Sequence, residues 1–269
     1  MRSLAAALLL VAVPALAASC GSGPTGEEVH VAVAANFAIP FQAIVQGFET
    51  ATGHRVVVTS GSTGALYAQV VAGAPFEVFL AADDERPRRL VETGRAVAES
   101  RFTYARGRLA LWWPGREIAD GPALLGRGEF ARLAMANPAT APYGRAARQV
   151  LETLGLWPAV EPKVVLGNDV GQAYQFVATR NADLGFVARS QLDGESEGAA
   201  WLVPEQLHAP IEQQAVLLTA GAGDAAARDL LDWLRGDEAR EVIERFGFGP
   251  GDAATPPPAA APAPPPPPP

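Results

Sequence analysis

Val29-His30-Val31-Ala32-Val33-Ala34-Ala35-Asn36-Phe37 decides the fold, together with the Ser60-Gly61-Ser62-Thr63-Gly64 turn that follows one helix and one strand later. A β-branched, apolar run breaks into small uncharged residues. Phe41, Ile44, Val45 and Phe48 then recur at helical spacing from about Ile39 to Thr52. Gly53 stops that helix, Arg55 to Thr59 reads as a second strand, and Ala65 to Ala72 as a second helix ending at Gly73. Phe76 to Ala81 is a third strand, and Asp84 before Pro87 reads as a helix N-cap. Strands alternating with helices through such short connections predict parallel pairing, hence an α/β sheet covered on both faces.

The rhythm changes after Gly94. Arg101 to Ala105 and Arg108 to Trp113 are strand-like runs separated by Arg106-Gly107, which suits a hairpin or a crossover between lobes. A second series follows: strands at Leu133 to Ala136, Lys163 to Leu166 and Leu184 to Val187, with helices near Tyr143 to Leu154 and Val170 to Thr179. Ile211 to Thr219 reads as a return strand. Helices near Ala225 to Arg235 and Asp237 to Phe246 are expected to pack back on the first lobe.

Both ends fall outside this core. Arg2, the apolar stretch Leu4 to Val13 and Ala15-Leu16-Ala17 form a secretory signal over residues 1–20, too short for a permanent membrane span. Export to the periplasm or cell surface is expected. Cys20, the one cysteine, stands where a lipoprotein signal places its lipid-modified residue, although Ala17 replaces the usual bulky aliphatic three positions earlier. Lipidation of Cys20 is the expectation, with cleavage near Ala17 or Ala18 as the alternative. A lone cysteine excludes an internal disulfide. Residues 21–28 read as a flexible arm and 251–269 as a Pro/Ala-rich tail too poor in core-forming residues to fold. The expected lobes are 29–107 with 217–250, and 108–216.

Four turns close strands and open helices: Ala34 to Phe37, Ser60 to Gly64, Asn137-Pro138 through Pro142-Tyr143-Gly144, and Gly167-Asn168-Asp169-Val170-Gly171. None contains Lys or Arg. A helix opening presents unpaired backbone N–H groups and the positive end of the helix dipole, so converging openings make an anion site without cationic side chains. In open α/β sheets ligands sit beyond the carboxyl ends of the strands, where all four turns fall, two per lobe. The geometry that satisfies this is a cleft closing by a hinge motion. Asp169 is the exception in charge, and is expected to point away and cap its helix.

Other chemistries find little support. A net charge of −8 argues against nucleic acid and anionic membrane surfaces. His30, His54 and His208 are scattered without metal-ligand spacing. Gly61-Ser62-Thr63-Gly64 lacks the lysine of a phosphate loop and is not a nucleophile elbow. Asp83-Asp84 suits capping better than acid–base work, Trp112-Trp113 reads as packing, and the four tyrosines include no adjacent pair. No cofactor and no catalytic residue are expected.

On these motifs, with Val78 to Asp83, Asn168-Asp169-Val170-Gly171-Gln172 and Asp183 to Val187 in the same order, the chain resembles the ModA-type molybdate-binding proteins of bacterial ABC transporters over about Val29 to Gly249. The resemblance implies a two-lobed type II periplasmic-binding-protein fold, each lobe a mostly parallel sheet flanked by helices. It implies a monomeric receptor that closes over molybdate or tungstate and passes it to a membrane permease. The residues it assigns to the oxyanion are Ala35, Asn36, Ser62, Thr63, Tyr143 and Val170. Two positions depart from relatives: Ala35 stands where many carry a hydroxyl, and Ala188 where one subgroup has a ligand tyrosine. Alternatives are the same fold carrying sulfate or another tetrahedral oxyanion, and a hydrolase using Ser62.

Overall fold

The computed structural model describes residues 26–192 and 200–252. The signal, Cys20 and the tail beyond residue 252 lie outside the described residues. The first sheet takes β1 (Glu28–Ala34), β2 (Arg55–Gly61), β3 (Val78–Ala81), β4 (Phe102–Gly107), β10 (Ile211–Leu217) and the short β11 (Gly249–Pro250), in the spatial order β11-β4-β10-β3-β1-β2. The second takes β5 (Leu109–Trp112), β6 (Leu133–Ala136), β7 (Val164–Gly167), β8 (Leu184–Ala188) and β9 (Ala200–Leu202), in the order β7-β6-β8-β5-β9.

Strands joined through helices run parallel: β1 with β2 and β3, and β6 with β7 and β8. The strands flanking the lobe crossings run antiparallel, β10 against β3 and β4, and β5 against β8 and β9. Both sheets are therefore mixed. Of the two readings left open for Arg106-Gly107, the crossover is observed: β4 and β5 lie in different sheets. Because β10 begins at Ile211 in the first sheet, the expected lobe boundary at 216/217 falls inside that strand, and the chain has returned before Ile211. The expected arm at 21–28 also ends early, since β1 starts at Glu28 and the Glu27 carbonyl accepts from the Arg55 N–H at 2.9 Å.

The helices divide over the faces as their apolar stripes require. On one face of the first sheet, α1 (Ala38–Thr52), α8 (Ala225–Arg235) and α9 (Asp237–Arg245) bury Phe41, Ile44, Phe48, Leu230, Leu234 and Ile243 against Val29, Val31 and Val33. On the other, α2 (Thr63–Val71) and α3 (Glu85–Glu92) bring Leu66, Val70 and Leu90 onto Phe79 and Val216. In the second lobe α4 (Gly121–Arg127) and α5 (Pro142–Thr153) cover one face and α7 (Val170–Ala178) the other, with the short α6 (Trp157–Val160) beyond α5. Each fully buried side chain of this kind stabilises the fold by about 1.5–3 kcal/mol. Trp112 is packing, as expected, its ring stacked on Tyr174 with centroids 5.1 Å apart.

The start of α5 is set by backbone contact. A Cβ on Gly144 would lie 2.2 Å from the carbonyl oxygen of Ala136, at the end of β6, so glycine lets the helix N-terminus sit directly on the strand end. Gly144→Ala is expected to destabilise the protein by about 1–3 kcal/mol, the usual cost of overpacking, measurable as a lower urea midpoint.

Candidate functional site

One small cavity lies between the lobes, at the carboxyl ends of β1, β2, β3 and β6. It is lined by Ala34, Ala35, Asn36, Gly61, Ser62, Thr63, Ala82, Ala141, Pro142, Tyr143, Asp169 and Val170. All six residues singled out for oxyanion contact are among them, and none of the lining residues is Lys or Arg. Ala188 is buried in the second-lobe core and does not line it. A larger, more open groove lies on the second lobe between Asn137, Arg145, Arg148, Trp157 and Leu166. There Arg148 pairs with Glu152 at 2.7 Å and covers the Trp157 ring, so its charge is already engaged.

Three helices open onto the cavity. Ser62 caps α2, its Oγ accepting from the Ala65 N–H at 3.3 Å, and the Thr63 Oγ1 accepts from the Ala82 N–H at 3.0 Å. Each hydroxyl spends its acceptor on the backbone and keeps its proton for a ligand. At α5, Pro142 supplies no N–H, so Tyr143 carries the first available donor. At α7, Asp169 occupies the N-cap and its Oδ1 accepts from the Gln172 N–H at 2.9 Å, the capping expected of it, although the residue lines the cavity and does not simply point away; the next backbone donor is Val170. The site is thus built from orphaned helix-opening donors and dipoles converging from both lobes.

Asn36, in a 3-10 turn after β1, is buried and reaches across the cleft. Its Nδ2 donates to Gln213 Oε1 at 3.0 Å and makes a long contact of 3.5 Å with the Tyr143 hydroxyl. Its carbonyl accepts from the Ser190 hydroxyl at 2.9 Å. The Tyr104 hydroxyl lies 3.4 Å from the same Gln213 oxygen. Tyr104 and Gln213 were not singled out in the sequence, although Gln213-Gln214, two amides inside an apolar strand, was a visible signal. Burial raises both tyrosine hydroxyls above their ordinary range. For Tyr104 the nearby Tyr143 adds to the shift, and for Tyr143 the Asn36 hydrogen bond partly offsets it. Both stay neutral donors at any physiological pH.

The rim is held by charge. Arg145 on α5 reaches Asp83 at 2.8 Å and Glu85 at 3.3 Å on the first lobe, and Asp83 also pairs with Arg86. Beside this cluster the Gly64 N–H donates to the Thr140 carbonyl at 2.9 Å, again lobe to lobe. Asp83, not Asp84, caps α3 through its side chain, accepting from the Arg86 N–H at 3.1 Å. The two arginines near the cleft are therefore neutralised by carboxylates.

Two outcomes follow from this geometry. Arg145→Ala should loosen the closed state by about 1 kcal/mol, seen in stopped flow as roughly fivefold faster release of a bound anion, with the difference shrinking in high salt. The tyrosines give a pH signature. A hydroxyl whose native pKa is raised leaves stability intact below the ordinary value of 10.0 and removes it as pH climbs above that, because only the unfolded chain ionises there. Alkaline unfolding, followed by tyrosinate absorbance, should accordingly move to higher pH in Tyr104→Phe.

Comparison with known proteins agrees with this site. The model of the family described as bacterial extracellular solute-binding protein matches residues 29–249. The molybdate-binding protein ModA of Azotobacter vinelandii is 50% identical over 246 residues, covering 90% of this chain and 96% of the relative. The ModA of Rhodobacter capsulatus is 46% identical over 248 residues, covering 92% and 96%. The solved Azotobacter vinelandii periplasmic molybdate-binding protein superposes with a TM-score of 0.78 at 38% identity, over 82% of this chain and 98% of that one. With its two lobes, its donor-lined cleft and these relatives, the chain belongs to the bacterial extracellular solute-binding protein family and, within it, to the ModA type.

Proposed function

We propose that the protein captures molybdate outside the cytoplasm and hands it to the permease of an ABC transporter. The observation that carries this is the small cavity between the lobes, lined by hydroxyls and helix-opening N–H groups from both, with no cationic side chain in its wall and with its one carboxylate, Asp169, spent on capping α7. Ala35, Asn36, Ser62, Thr63, Tyr143 and Val170 are the residues we assign to the anion. The relatives of this chain are named for molybdate binding, which supports the cargo and a role in transport.

Selectivity follows from protonation. Molybdate, tungstate and sulfate are fully ionised near neutral pH, so every ligand oxygen accepts, and a wall of donors satisfies all of them. Protonated phosphate would set an O–H against a donor. One such buried mismatch costs roughly 1–3 kcal/mol, about one to two decades of affinity. Sulfate is rejected by size alone, and tungstate, nearly the size of molybdate, is carried as well. The ligand is cargo, and we assign the protein no cofactor and no catalysis. It acts as a monomer in the periplasm or at the cell surface, with Cys20 as lipid anchor and its other membrane contact made through the permease. The Ser62 hydroxyl serves as cap and anion donor in this reading, not as a nucleophile.

Titration calorimetry of the mature protein should show one-to-one binding of molybdate and tungstate, weaker binding of sulfate, and phosphate weakest. Tight sulfate binding with none for molybdate would move the cargo to sulfate.

A further inference from the structure

Gln213 is fully buried on β10, and its Nε2 is one of two buried side-chain nitrogen or oxygen atoms among the described residues without a hydrogen-bond partner. Its Oε1 is used twice, accepting from Asn36 Nδ2 at 3.0 Å and lying 3.4 Å from the Tyr104 hydroxyl. Reversing the amide would set Nε2 against the Asn36 donor, whereas the Tyr104 hydroxyl could accept from it, so it is Asn36 that fixes the orientation. The strand pairing is bent to achieve this. The β10–β4 register slips between Gln213 and Gln214, where Ala105 and Thr103 are the successive partners and Tyr104 between them is skipped. A bulge of this kind re-aims side chains, and here it accompanies the meeting of Gln213 and Tyr104 behind Asn36.

The cost of this arrangement is visible at Gly107, where the chain crosses between lobes. A Cβ there would lie 2.3 Å from the Tyr143 hydroxyl and 2.7 Å from Gln213 Nε2, so both groups crowd the hinge backbone. An orphaned amide donor in a core is destabilising, because it has given up water without gaining a partner. A leucine or methionine would fill the same space without that penalty. The glutamine has to be explained by what its oxygen does.

We propose that Gln213 is a positioning residue for anion capture: by accepting one Nδ2 proton of Asn36 it fixes which end of that amide meets Tyr143 at the cleft, so that the second proton, held only by the long 3.5 Å contact with the Tyr143 hydroxyl, can turn to a bound oxyanion. Freed of Gln213, the Asn36 amide can turn and present an acceptor to a dianion, which repels it. The inference rests on the oxyanion reading of the cleft, and extends it to a residue that does not line the cavity.

The test is a double-mutant cycle on Gln213→Met and Asn36→Ala, read by calorimetric titration with molybdate, with thermal unfolding of the unliganded proteins as the folding control. Gln213→Met should weaken binding about tenfold while leaving the unliganded melting temperature equal or higher. In the Asn36→Ala background the same substitution should change affinity less than twofold. In amide NMR spectra, one Asn36 Nδ2 proton should shift downfield on adding molybdate to the wild type and fail to do so in Gln213→Met. If Gln213→Met does not fold, Gln213→Leu serves in the same cycle. Additive losses, or an unchanged Asn36 signal in the wild type, would overturn the role of Gln213 while leaving the receptor reading standing. A wild type that binds no tetrahedral oxyanion overturns both; one that binds only sulfate changes the cargo, and the cycle run with sulfate then decides.

Discussion

A double negative charge enclosed between two protein lobes is tolerable only if each of its oxygens meets a donor, because the water that solvated it has been expelled. On the proposed function, this chain meets that constraint with dipoles. Thr63, Tyr143 and Val170 each stand at the first usable N–H of a helix, Ser62 and Thr63 add hydroxyls that already accept from the backbone, and Asn36 adds a side-chain amide. The strand-to-helix architecture is what supplies such openings, and two lobes are needed to surround the ligand with them.

The same logic explains where the formal charges went. Arg86 and Arg145 lie close to the start of α2 and at the rim, yet Asp83 and Glu85 neutralise them, so they join the lobes without turning the cavity into a generic cationic site. A bare arginine would raise affinity for every anion, protonated phosphate included. At the cavity, Asn36 is the point where the lobes and the hinge meet: it touches Gln213 on the return strand, Tyr143 on the opposite lobe and, through its backbone carbonyl, Ser190. A ligand that orders Asn36 therefore acts on the groups that line the crossing at Gly107.

Much of this was legible in the sequence because the signals were local. The helical spacing of Phe41, Ile44 and Phe48, the stop at Gly53 and the small residues of the four turns placed both sheets and all six cavity residues on one side of the fold. Asp169 could be assigned to capping because an N-cap carboxylate needs only its own helix. What escaped was non-local. Asp84 holds the N-cap position of α3 as expected, but the capping bond comes from Asp83, whose carboxylate also pairs with Arg86 and, from the other lobe, Arg145. The boundary near 216 failed because an apolar run does not say which sheet it joins, and Ile211–Leu217 pairs with β3 and β4. Gln213 and Tyr104 are 109 positions apart and meet through a register slip that no periodicity announces.

The central claim is that neutral backbone donors at helix openings hold the anion. Amide proton–nitrogen correlation spectra during a molybdate titration test it most directly. The account predicts that the backbone N–H signals of Thr63, Tyr143 and Val170 move downfield together and saturate at one equivalent. Backbone signals that stay in place while arginine side-chain resonances shift would contradict it.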